Sequence, residues 1–460
     1  IMSMQWNWTK SVSSFLKQNN IQCPQIVGGI HPTMTPDETL EHKDIDMICN
    51  GEGDNAILEL CDAIDKKKDY SNIQNLWIRK GTNIIKNELR PRLTAEELVA
   101  LPYPDRDLYT KYDYFKNFPF VTFVASRGCP FKCSFCEVPF VVNLTKGKST
   151  VYQNVDSFID EIDETKKRSM LKGKLLMFTD STFNSHKKWF LEFCQKYKER
   201  INLPWTCNLR AELVDEEQVK AMKLANIDNV RFGVESGDEE IRKTVLNKGR
   251  HLTDEKILNC ARLLHKYKIK FVTFNMMAFP TETYEQAWKT IKINQKIKPT
   301  VCSMYMLYLY PNLGITNFTL DRGLIDKKDI DMIEKPPYNY HLSLLALHPD
   351  RNKDIFKICN LQKFAILVVR WPFLEPLVRK LSELPNNSFF SFIYLVTQAW
   401  EWRKWSSRHS FMRLLWDGLL NYHTMFVTKE KDSGIIFKIS KLLAKKTRSK
   451  VANAYTLQSD

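Results

Sequence analysis

Three cysteines crowd into the segment Ser126-Arg-Gly-Cys-Pro-Phe-Lys-Cys-Ser-Phe-Cys-Glu137, in a C-x3-C-x2-C arrangement directly after a predicted strand. Their thiols therefore lie on one short loop. Cube-type iron–sulfur clusters normally take four thiolates, so three protein ligands leave one iron open to an external molecule. The spacing of Cys129, Cys133 and Cys136 thus indicates a reactive cluster rather than one that only stores electrons.

A zinc site is the alternative interpretation of the same loop, with a distant fourth ligand such as Cys207 or His186. Zinc sites, however, usually pair their ligands as C-x2-C at both ends. The chain has 11 Cys, an odd number, and no secretory feature. This pattern favours a reducing, cytoplasmic compartment and metal ligation over a disulfide framework.

The composition of the whole chain limits the class of protein in which this loop lies. The 460 residues are 43% hydrophobic, which excludes general disorder, and carry a net charge of +15. Residues 351–460 hold 19 Lys and Arg against 8 Asp and Glu, so the excess is mainly C-terminal and points there to phosphate groups or an anionic surface. No run of about 18 uncharged apolar residues exists, which predicts a soluble or peripheral protein.

The first part of the chain, residues 1–75, alternates short β-rich segments with helical ones, as in a parallel sheet. Strands are predicted at residues 1–4, 25–29 and 45–49, and a helix at 54–65. Glycine turns follow the last two strands, where open α/β sheets bind ligands. Residues 76–118 carry three prolines and little periodicity, and we expect a linker there.

From residue 119 to 325 the βα rhythm continues with six strand candidates, which predicts a parallel barrel or partial barrel with its chemistry at the C-terminal strand ends. Residues 326–460 are expected to form a helical, aromatic and basic region. Ile435, Ile439, Leu442 and Leu443 recur at helical spacing beside lysines, which predicts a basic amphipathic helix near the end.

With these motifs together, the sequence resembles the radical S-adenosylmethionine (SAM) enzymes, whose defining motif has this cysteine spacing and an aromatic residue, here Phe135, before the third Cys. Four later segments resemble the ends of the family's second to fifth strands: 177–183, 205–211, 232–237 and 277–283. Ala278 and Thr281 replace two glycines of the fifth-strand pattern. The resemblance implies SAM contacts at Phe135, Asp180, Arg210, Glu235, Ser236, Pro280 and Glu282.

Residues 1–75 resemble the second half of a flavodoxin-like cobalamin-binding domain, which precedes the barrel in one group of this family. The cobalamin contacts that this resemblance implies are Ser3, Gly28, Gly29, His31, Gly51 and Glu52. His31 is expected to be a polar loop residue or ribose contact rather than the cobalt ligand. The family's Asp-x-His-x-x-Gly loop would lie upstream of Ile1, so we expect the chain to be part of a longer protein.

The resemblance implies an α/β enzyme with a partial (β/α)6 barrel that holds a [4Fe-4S] cluster, SAM and cobalamin. Its expected reaction is reductive SAM cleavage followed by cobalamin-assisted methyl transfer to an unactivated carbon. The alternatives are a cyclase, oxidoreductase or rearrangement enzyme without functional cobalamin, or a non-enzymatic zinc- or nucleic-acid-binding protein. The sequence names no catalytic residue beyond the cofactor contacts.

Expected partners are a small-molecule or lipid-like substrate and an electron donor such as a flavodoxin or ferredoxin. The C-terminal region has three interpretations: a helical cap on the barrel, a membrane-surface contact, or a nucleic-acid contact. Nucleic acid is the least favoured of the three. The protein is therefore expected in the cytoplasm, with membrane association through this region as an open alternative.

Overall fold

A computed structural model describes residues 1–21, 23–112, 118–168, 170–248, 251–332 and 342–405, together with residues 412, 414–416 and 418–420. The chain divides into two compact units. Unit 1 comprises residues 1–101, 128–152 and 309–317. Unit 2 comprises residues 102–127, 153–308 and 318–460.

The described strands are β1 (Ile26–Gly28), β2 (Met47–Cys49), β3 (Leu76–Lys80), β4 (Asn83–Lys86), β5 (Phe120–Phe123), β6 (Ser126–Gly128), β7 (Thr150–Tyr152), β8 (Leu175–Phe178), β9 (Trp205–Leu209), β10 (Ile227–Glu235), β11 (Lys270–Met277) and β12 (Val301–Met306).

The described α-helices are α1 (Trp6–Gln18), α2 (Ile30–Met34), α3 (Pro36–Glu41), α4 (Asp54–Asp65), α5 (Ala95–Ala100), α6 (Asp107–Thr110), α7 (Glu137–Leu144), α8 (Val155–Lys167), α9 (Lys187–Arg200), α10 (Glu216–Leu224), α11 (Asp254–Lys266), α12 (Tyr284–Ile297), α13 (Gly314–Asp321), α14 (Ile355–Arg370), α15 (Glu375–Ser382) and α16 (Ser388–Trp402). Short 3-10 turns and one π-helical turn (Ile241–Val245) connect them.

Unit 1 is built on a four-stranded sheet in the order β1-β2-β3-β4. Strands β1 and β2 are parallel, and the β3–β4 hairpin adds to β2 in antiparallel fashion. This hairpin occupies the start of the expected linker, so residues 76–86 belong to the sheet of unit 1. Residues 3–5 form a 3-10 turn, and the strand predicted at residues 1–4 was wrong.

Unit 2 contains the predicted parallel sheet of six strands, in the order β5-β8-β9-β10-β11-β12. Phe120 on one edge strand and Val301 on the other belong to a single buried cluster that includes Leu175, Val272 and Trp405. The sheet therefore curls around an apolar interior, as expected of a partial barrel. Helices α8 to α12 alternate with the strands along the chain.

The described part of residues 326–460 is helical, as predicted. Glu401 on α16 is fully buried and joins the barrel, because it accepts the N–H of Cys302 (2.9 Å) and pairs with Arg370 of α14. Beyond α16, the Trp405 indole donates to Asn229 Oδ1 inside the sheet (2.9 Å). None of the described helices has the length and apolarity needed to span a bilayer. The predicted basic helix around residues 435–446 lies outside the described residues.

Candidate functional site

The cysteine loop lies in unit 1 between β6 and α7. Gly128 at its start has φ +84°, and a Cβ there would lie 2.2 Å from the Ser149 carbonyl oxygen, so only glycine fits. Cys133 is buried, Cys129 and Cys136 are half-buried, and all three are outside disulfides. Cys136 directly precedes α7, whose N-terminus favours negative charge on a nearby sulfur.

The Cys136 thiol of this loop holds its proton tightly. Its pKa is raised to about 12, mainly by burial and also by the neighbouring Glu137, Cys133 and Cys129, while a hydrogen bond from the Val138 backbone acts in the opposite direction. The three thiols therefore lie close enough to repel one another as thiolates. A bound cationic centre would remove that repulsion, so the donor set fits an iron–sulfur cluster.

Arg92 braces the loop, a role that no motif in the sequence indicates. Its guanidinium donates to the carbonyl oxygens of Val142 and Gly147, and to those of Thr145 and Lys148 (both 2.9 Å), just beyond the cysteines. One side chain thereby satisfies one carbonyl in the last turn of α7 and three in the segment that follows.

Residues 309–317, which follow β12 along the chain, belong to unit 1 and reach the cysteine loop. The N–H of Ile315 donates to the Ser134 carbonyl (2.9 Å), between the second and third cysteines. Asn312, at φ +62°, donates to the Met34 carbonyl at the end of α2 (2.6 Å). This segment therefore connects the cysteine loop with the N-terminal turns.

The predicted cobalamin turns follow β1 and β2, which are parallel, so they lie at the same edge of the sheet. Gly29 and Gly51 have φ +99° and +88°, and the N–H of Gly51 donates to Thr33 Oγ1 (3.0 Å). Helix α2, directly after Gly29, lies beside α7, directly after the cysteines. Unit 1 thus brings the two predicted cofactor elements together.

Three of the predicted cobalamin residues, Ser3, His31 and Glu52, form side-chain contacts within unit 1. His31 is buried, with Nδ1 3.2 Å from Ser3 Oγ and Nε2 3.4 Å from Thr35 Oγ1. Burial, with a contribution from Lys10, lowers the pKa of His31 to about 4, so the imidazole is neutral. Glu52 accepts the N–H of Leu93 through its carboxylate (3.4 Å).

Adjacent to Gly51, Asn50 Oδ1 is buried without a hydrogen-bond partner among the described residues. An orphaned acceptor beside two glycine turns fits a bulky ligand with polar edges at this edge of the sheet. The residues present are therefore compatible with cobalamin.

In unit 2, Asp180 follows β8 and is 1% exposed. Its carboxylate accepts the Ser126 N–H (2.6 Å), the Ser126 hydroxyl and the Ala125 N–H (3.3 Å). Burial raises the pKa of Asp180 to about 6, and these hydrogen bonds act in the opposite direction. Asp180 therefore fixes the chain just before the cysteine motif, a role that needs no SAM contact.

Arg210 follows β9, and Glu235 is the last residue of β10. Each is paired with a side chain of opposite charge. Arg210 Nε donates to Glu212 (2.6 Å), while Glu235, at φ +64°, accepts Lys248 Nζ (2.6 Å). Lys248 also donates to the Gly233 carbonyl (2.7 Å). Lys248 was not predicted, because only the fold brings it to Glu235.

Ser236 is fully buried after β10. Its hydroxyl accepts the Asp238 N–H (3.1 Å), and its carbonyl accepts Arg242 Nη1 (2.6 Å). Ser236 thus caps the following turn.

The turn after β11 contains the two residues that replace the family's glycines. Ala278 and Thr281 both have positive φ, +66° and +67°, so the structure demands the backbone that glycine adopts freely. Glu282 Oε2 accepts the N–H groups of Ala278 (2.7 Å) and Phe279 (3.1 Å) and holds the turn. Pro280 is buried within it.

Glu282 is the best-placed of these groups for a further ligand. Its Oε1 is buried and has no partner among the described residues. Burial raises the pKa of Glu282 to about 8, so the group is largely protonated at neutral pH. The unpartnered Glu282 carboxyl, the Glu235–Lys248 pair and other polar groups lie at the ends of parallel strands. They fit the amino, carboxylate and sulfonium groups of SAM.

The ligands that a zinc site would recruit have other roles in unit 2. Cys207 is fully buried on β9, and burial raises the pKa of its thiol. His186 caps α9, with Nδ1 accepting the Trp189 N–H (3.1 Å).

Sequence comparison agrees with these features. The profile of the radical SAM superfamily matches residues 123–293, which include both the cysteine loop and the strand ends. The chain is 27% identical to an uncharacterized methyltransferase of Pyrococcus horikoshii, over 68% of this chain and 67% of the relative. It is 23% identical to the bacteriochlorophyllide d C-12(1)-methyltransferase of Chlorobaculum tepidum (56% and 51%). It is 25% identical to the anaerobic magnesium-protoporphyrin IX monomethyl ester cyclase of Rubrivivax gelatinosus (70% and 57%). The chain thus spans about half to two thirds of the length of these relatives.

Two solved structures share the fold. The methyltransferase TsrM from Kitasatospora setae, with tryptophan and a SAM analogue bound, aligns with a TM-score of 0.58 at 18% identity, over 70% of this chain and 62% of that one. The cobalamin-dependent radical enzyme OxsB, with aqua-cobalamin and SAM bound, also gives 0.58, at 14% identity over 94% and 72%. At these identities the likeness establishes the fold.

Proposed function

Because this chain carries a radical SAM domain, we propose that it is an enzyme that cleaves SAM reductively and starts radical chemistry on a small-molecule substrate. The observation that carries the proposal is the C-x3-C-x2-C loop, with its open coordination position, in a chain that also contains a six-stranded parallel barrel. When bound, the reduced [4Fe-4S] cluster supplies the electron that cleaves SAM to methionine and a 5′-deoxyadenosyl radical.

The residues of the chain bind, orient and shield these groups. Cys129, Cys133 and Cys136 hold the cluster, and Phe135 lies between the last two ligands. In unit 2, Glu235 and Glu282 offer oxygens to the amino and ribose groups of SAM. The buried apolar walls exclude water, which protects a radical from side reactions.

We further propose that the turns after β1 and β2 bind cobalamin, and that the reaction is methyl transfer to an unactivated carbon. The support is the glycine pair of turns, the orphaned Asn50 oxygen and the methyltransferases among the relatives. The cyclase among the relatives favours the second candidate, a radical cyclisation. The proposed partners are a flavodoxin or ferredoxin as electron donor and a lipid-like substrate. The proposed compartment is the cytoplasm, with a peripheral membrane contact through the C-terminal region.

The decisive experiment is anaerobic reconstitution of the protein with iron and sulfide, followed by reduction in the presence of SAM. The expected results are a brown protein and the release of 5′-deoxyadenosine. A colourless zinc protein, or a cluster that never cleaves SAM, would overturn the proposal. Cobalamin retained through gel filtration supports the methyltransferase, and its absence favours the cyclase.

The membrane contact has its own test. Retention of the full chain on anionic liposomes is compared, at low and high salt, with a chain that ends at Gly434. Equal retention of both proteins would exclude the C-terminal segment as the anchor.

A further inference from the structure

Arg231 lies in the middle of β10 and points into the barrel. Its register partners are Asn208 on β9 and Val272 on β11, and Val272 belongs to the inner apolar cluster. Phe232, the next residue, has the opposite orientation and stacks on Phe271 at 5.6 Å. Two residues before Arg231, Asn229 accepts the indole N–H of Trp405 at the barrel floor.

The guanidinium of Arg231 lacks the partners that a buried charge requires. The residue is 8% exposed, and its one hydrogen bond among the described residues runs from Nη2 to the Phe178 carbonyl (3.1 Å). Nε is buried without a hydrogen-bond partner. No Asp or Glu among the described residues forms an ion pair with it. Removing an unpaired guanidinium from water costs several kcal/mol, on the order of the ionic penalties known for protein interiors.

Other largely buried arginines of unit 2 differ from Arg231, because each is paired with a carboxylate. These pairs are Arg106–Glu161, Arg210–Glu212, Arg242–Asp254 and Arg370–Glu401. Arg231 therefore departs from the pattern of its own unit, and its position inside the barrel makes the missing partner significant.

The groups around Arg231 carry an excess of positive charge. Below Arg231, Thr206 and Asn229 form a hydrogen-bonded polar floor (2.8 Å). At the next inward position along β10, the Glu235 carboxylate and the Lys248 ammonium fill the place where a side chain of Gly233 would lie, and the two groups are hydrogen-bonded to each other. Two cations and one carboxylate thus line this part of the interior, which leaves an excess of positive charge.

We propose that the barrel interior at Arg231 binds an anionic group of the substrate, a carboxylate or a phosphate. A planar guanidinium with free N–H donors matches either group in a bidentate geometry. The predicted SAM contacts in unit 2 lie at or beyond the strand ends. Arg231 lies four residues before the end of β10, but the strand is irregular between Gly233 and Glu235, and the Glu235 carboxylate folds back beside Gly233. Because Lys248 already pairs with this predicted SAM contact, Arg231 is left for an anion of a second molecule. This inference deepens the proposed function, on which it rests.

The test is thermal unfolding of the reconstituted full-length protein without SAM. Inorganic phosphate and acetate are each compared with chloride at equal ionic strength. For the wild type we expect at least one anion to raise Tm, by on the order of 2 °C or more at saturation. Arg231→Met should lose this response and be at least as stable as the wild type in chloride, because the buried charge is gone.

Arg379→Met serves as the matched control, because it also removes one positive charge but from a partly exposed residue paired with Glu285 and Glu375. It should respond to the anions as the wild type does. Arg231→Lys, which keeps the charge without the planar fork, should show a smaller response and covers the case in which the Met variant does not fold.

Several outcomes would overturn the subsite: no Tm shift for the wild type with either anion, an equal shift in Arg231→Met, or an Arg231→Lys response equal to the wild type's. A response to phosphate alone assigns a phosphate ester, and one to acetate alone assigns a carboxylate. Wild-type protein that responds to the anion but releases no 5′-deoxyadenosine contradicts only the proposed function. The reverse result contradicts only the subsite.

Discussion

The strand-end turns of both units contain residues with positive φ, but the residue types differ. In unit 1 the positions with positive φ at the ends of β1, β2 and β6 are Gly29, Gly51 and Gly128. In unit 2 they are Glu235, Ala278 and Thr281. An L side chain in this conformation costs about 1–2 kcal/mol, which glycine does not pay.

The difference in residue type between the two units matches the chemical groups found at each sheet edge. In unit 1 the missing side chains allow backbone to approach closely: Ile1 lies against Gly29 and the Ser149 carbonyl against Gly128, while Gly51 has only Asn75 within 4 Å. The turns of unit 2 instead carry buried charged groups, and they are held by side chains: Lys248 fixes Glu235, and Glu282 accepts two N–H groups of its own turn. Unit 1 thus uses glycine for close backbone approach, whereas unit 2 offers fixed polar groups.

The largest expected effect concerns the thiols of unit 1. Cys133→Ser removes one of three ligands, and we expect loss of the cluster absorbance and a fall of 5′-deoxyadenosine release to background. Iron analysis and product chromatography measure both. Cys61→Ser, at an exposed thiol of the same unit, is the control and should keep both signals. A cluster that survives in the Cys133 variant would contradict the assigned ligand set.

Gly128→Ala tests whether the glycines of unit 1 are required. Positive φ and a backbone oxygen 2.2 Å from the new Cβ should together cost at least about 2 kcal/mol and lower iron retention. Gly81→Ala is the matched control, because Gly81 has φ +61° but no atom within 4 Å of a Cβ. It should cost about 1 kcal/mol, from strain alone. Equal losses in urea unfolding would show that the clash with Ser149 is relieved at no cost.

Glu282 should make the stability of the protein depend on pH. Its pKa is raised from about 4.5 in the unfolded chain to about 8 in the folded protein. Its contribution to stability is therefore fully present below pH 4.5 and is lost as the pH rises to 8. Relative to Glu282→Gln, the wild type should lose stability by up to about 1.4 kcal/mol per pH unit across this window.

Urea unfolding of both proteins at several pH values measures this difference. Other groups, Asp180 among them, titrate in both proteins and cancel in the comparison. Parallel curves for the two proteins would mean that Glu282 is ionised in the fold.

Whether the sequence could predict a feature of the fold or the site depends on whether residues close together in the chain determine that feature. The cysteine loop and the six strands are encoded in spacing and in continuous apolar runs, and both were predicted correctly. The β3–β4 hairpin was missed, although the alternating Leu76–Lys80 and the glycine turn at Gly81 were available as signals. The partners of Asp180, Glu235 and Arg92 could not be predicted, because they are set by which distant groups the fold brings within 3 Å.

The smallest expected effect comes from placing glycine at two positive-φ positions of unit 2. Ala278→Gly and Thr281→Gly should each raise stability by up to about 1 kcal/mol, because the relief of strain outweighs the added freedom of the unfolded chain. Thr281 should gain more, since its β-branched side chain tolerates positive φ less well. Ala287→Gly, in the middle of α12, is the control and should lower stability by about 1 kcal/mol. If both turn variants are also destabilised, the strain is offset by contacts of these side chains, and the two units would differ in packing rather than in backbone cost.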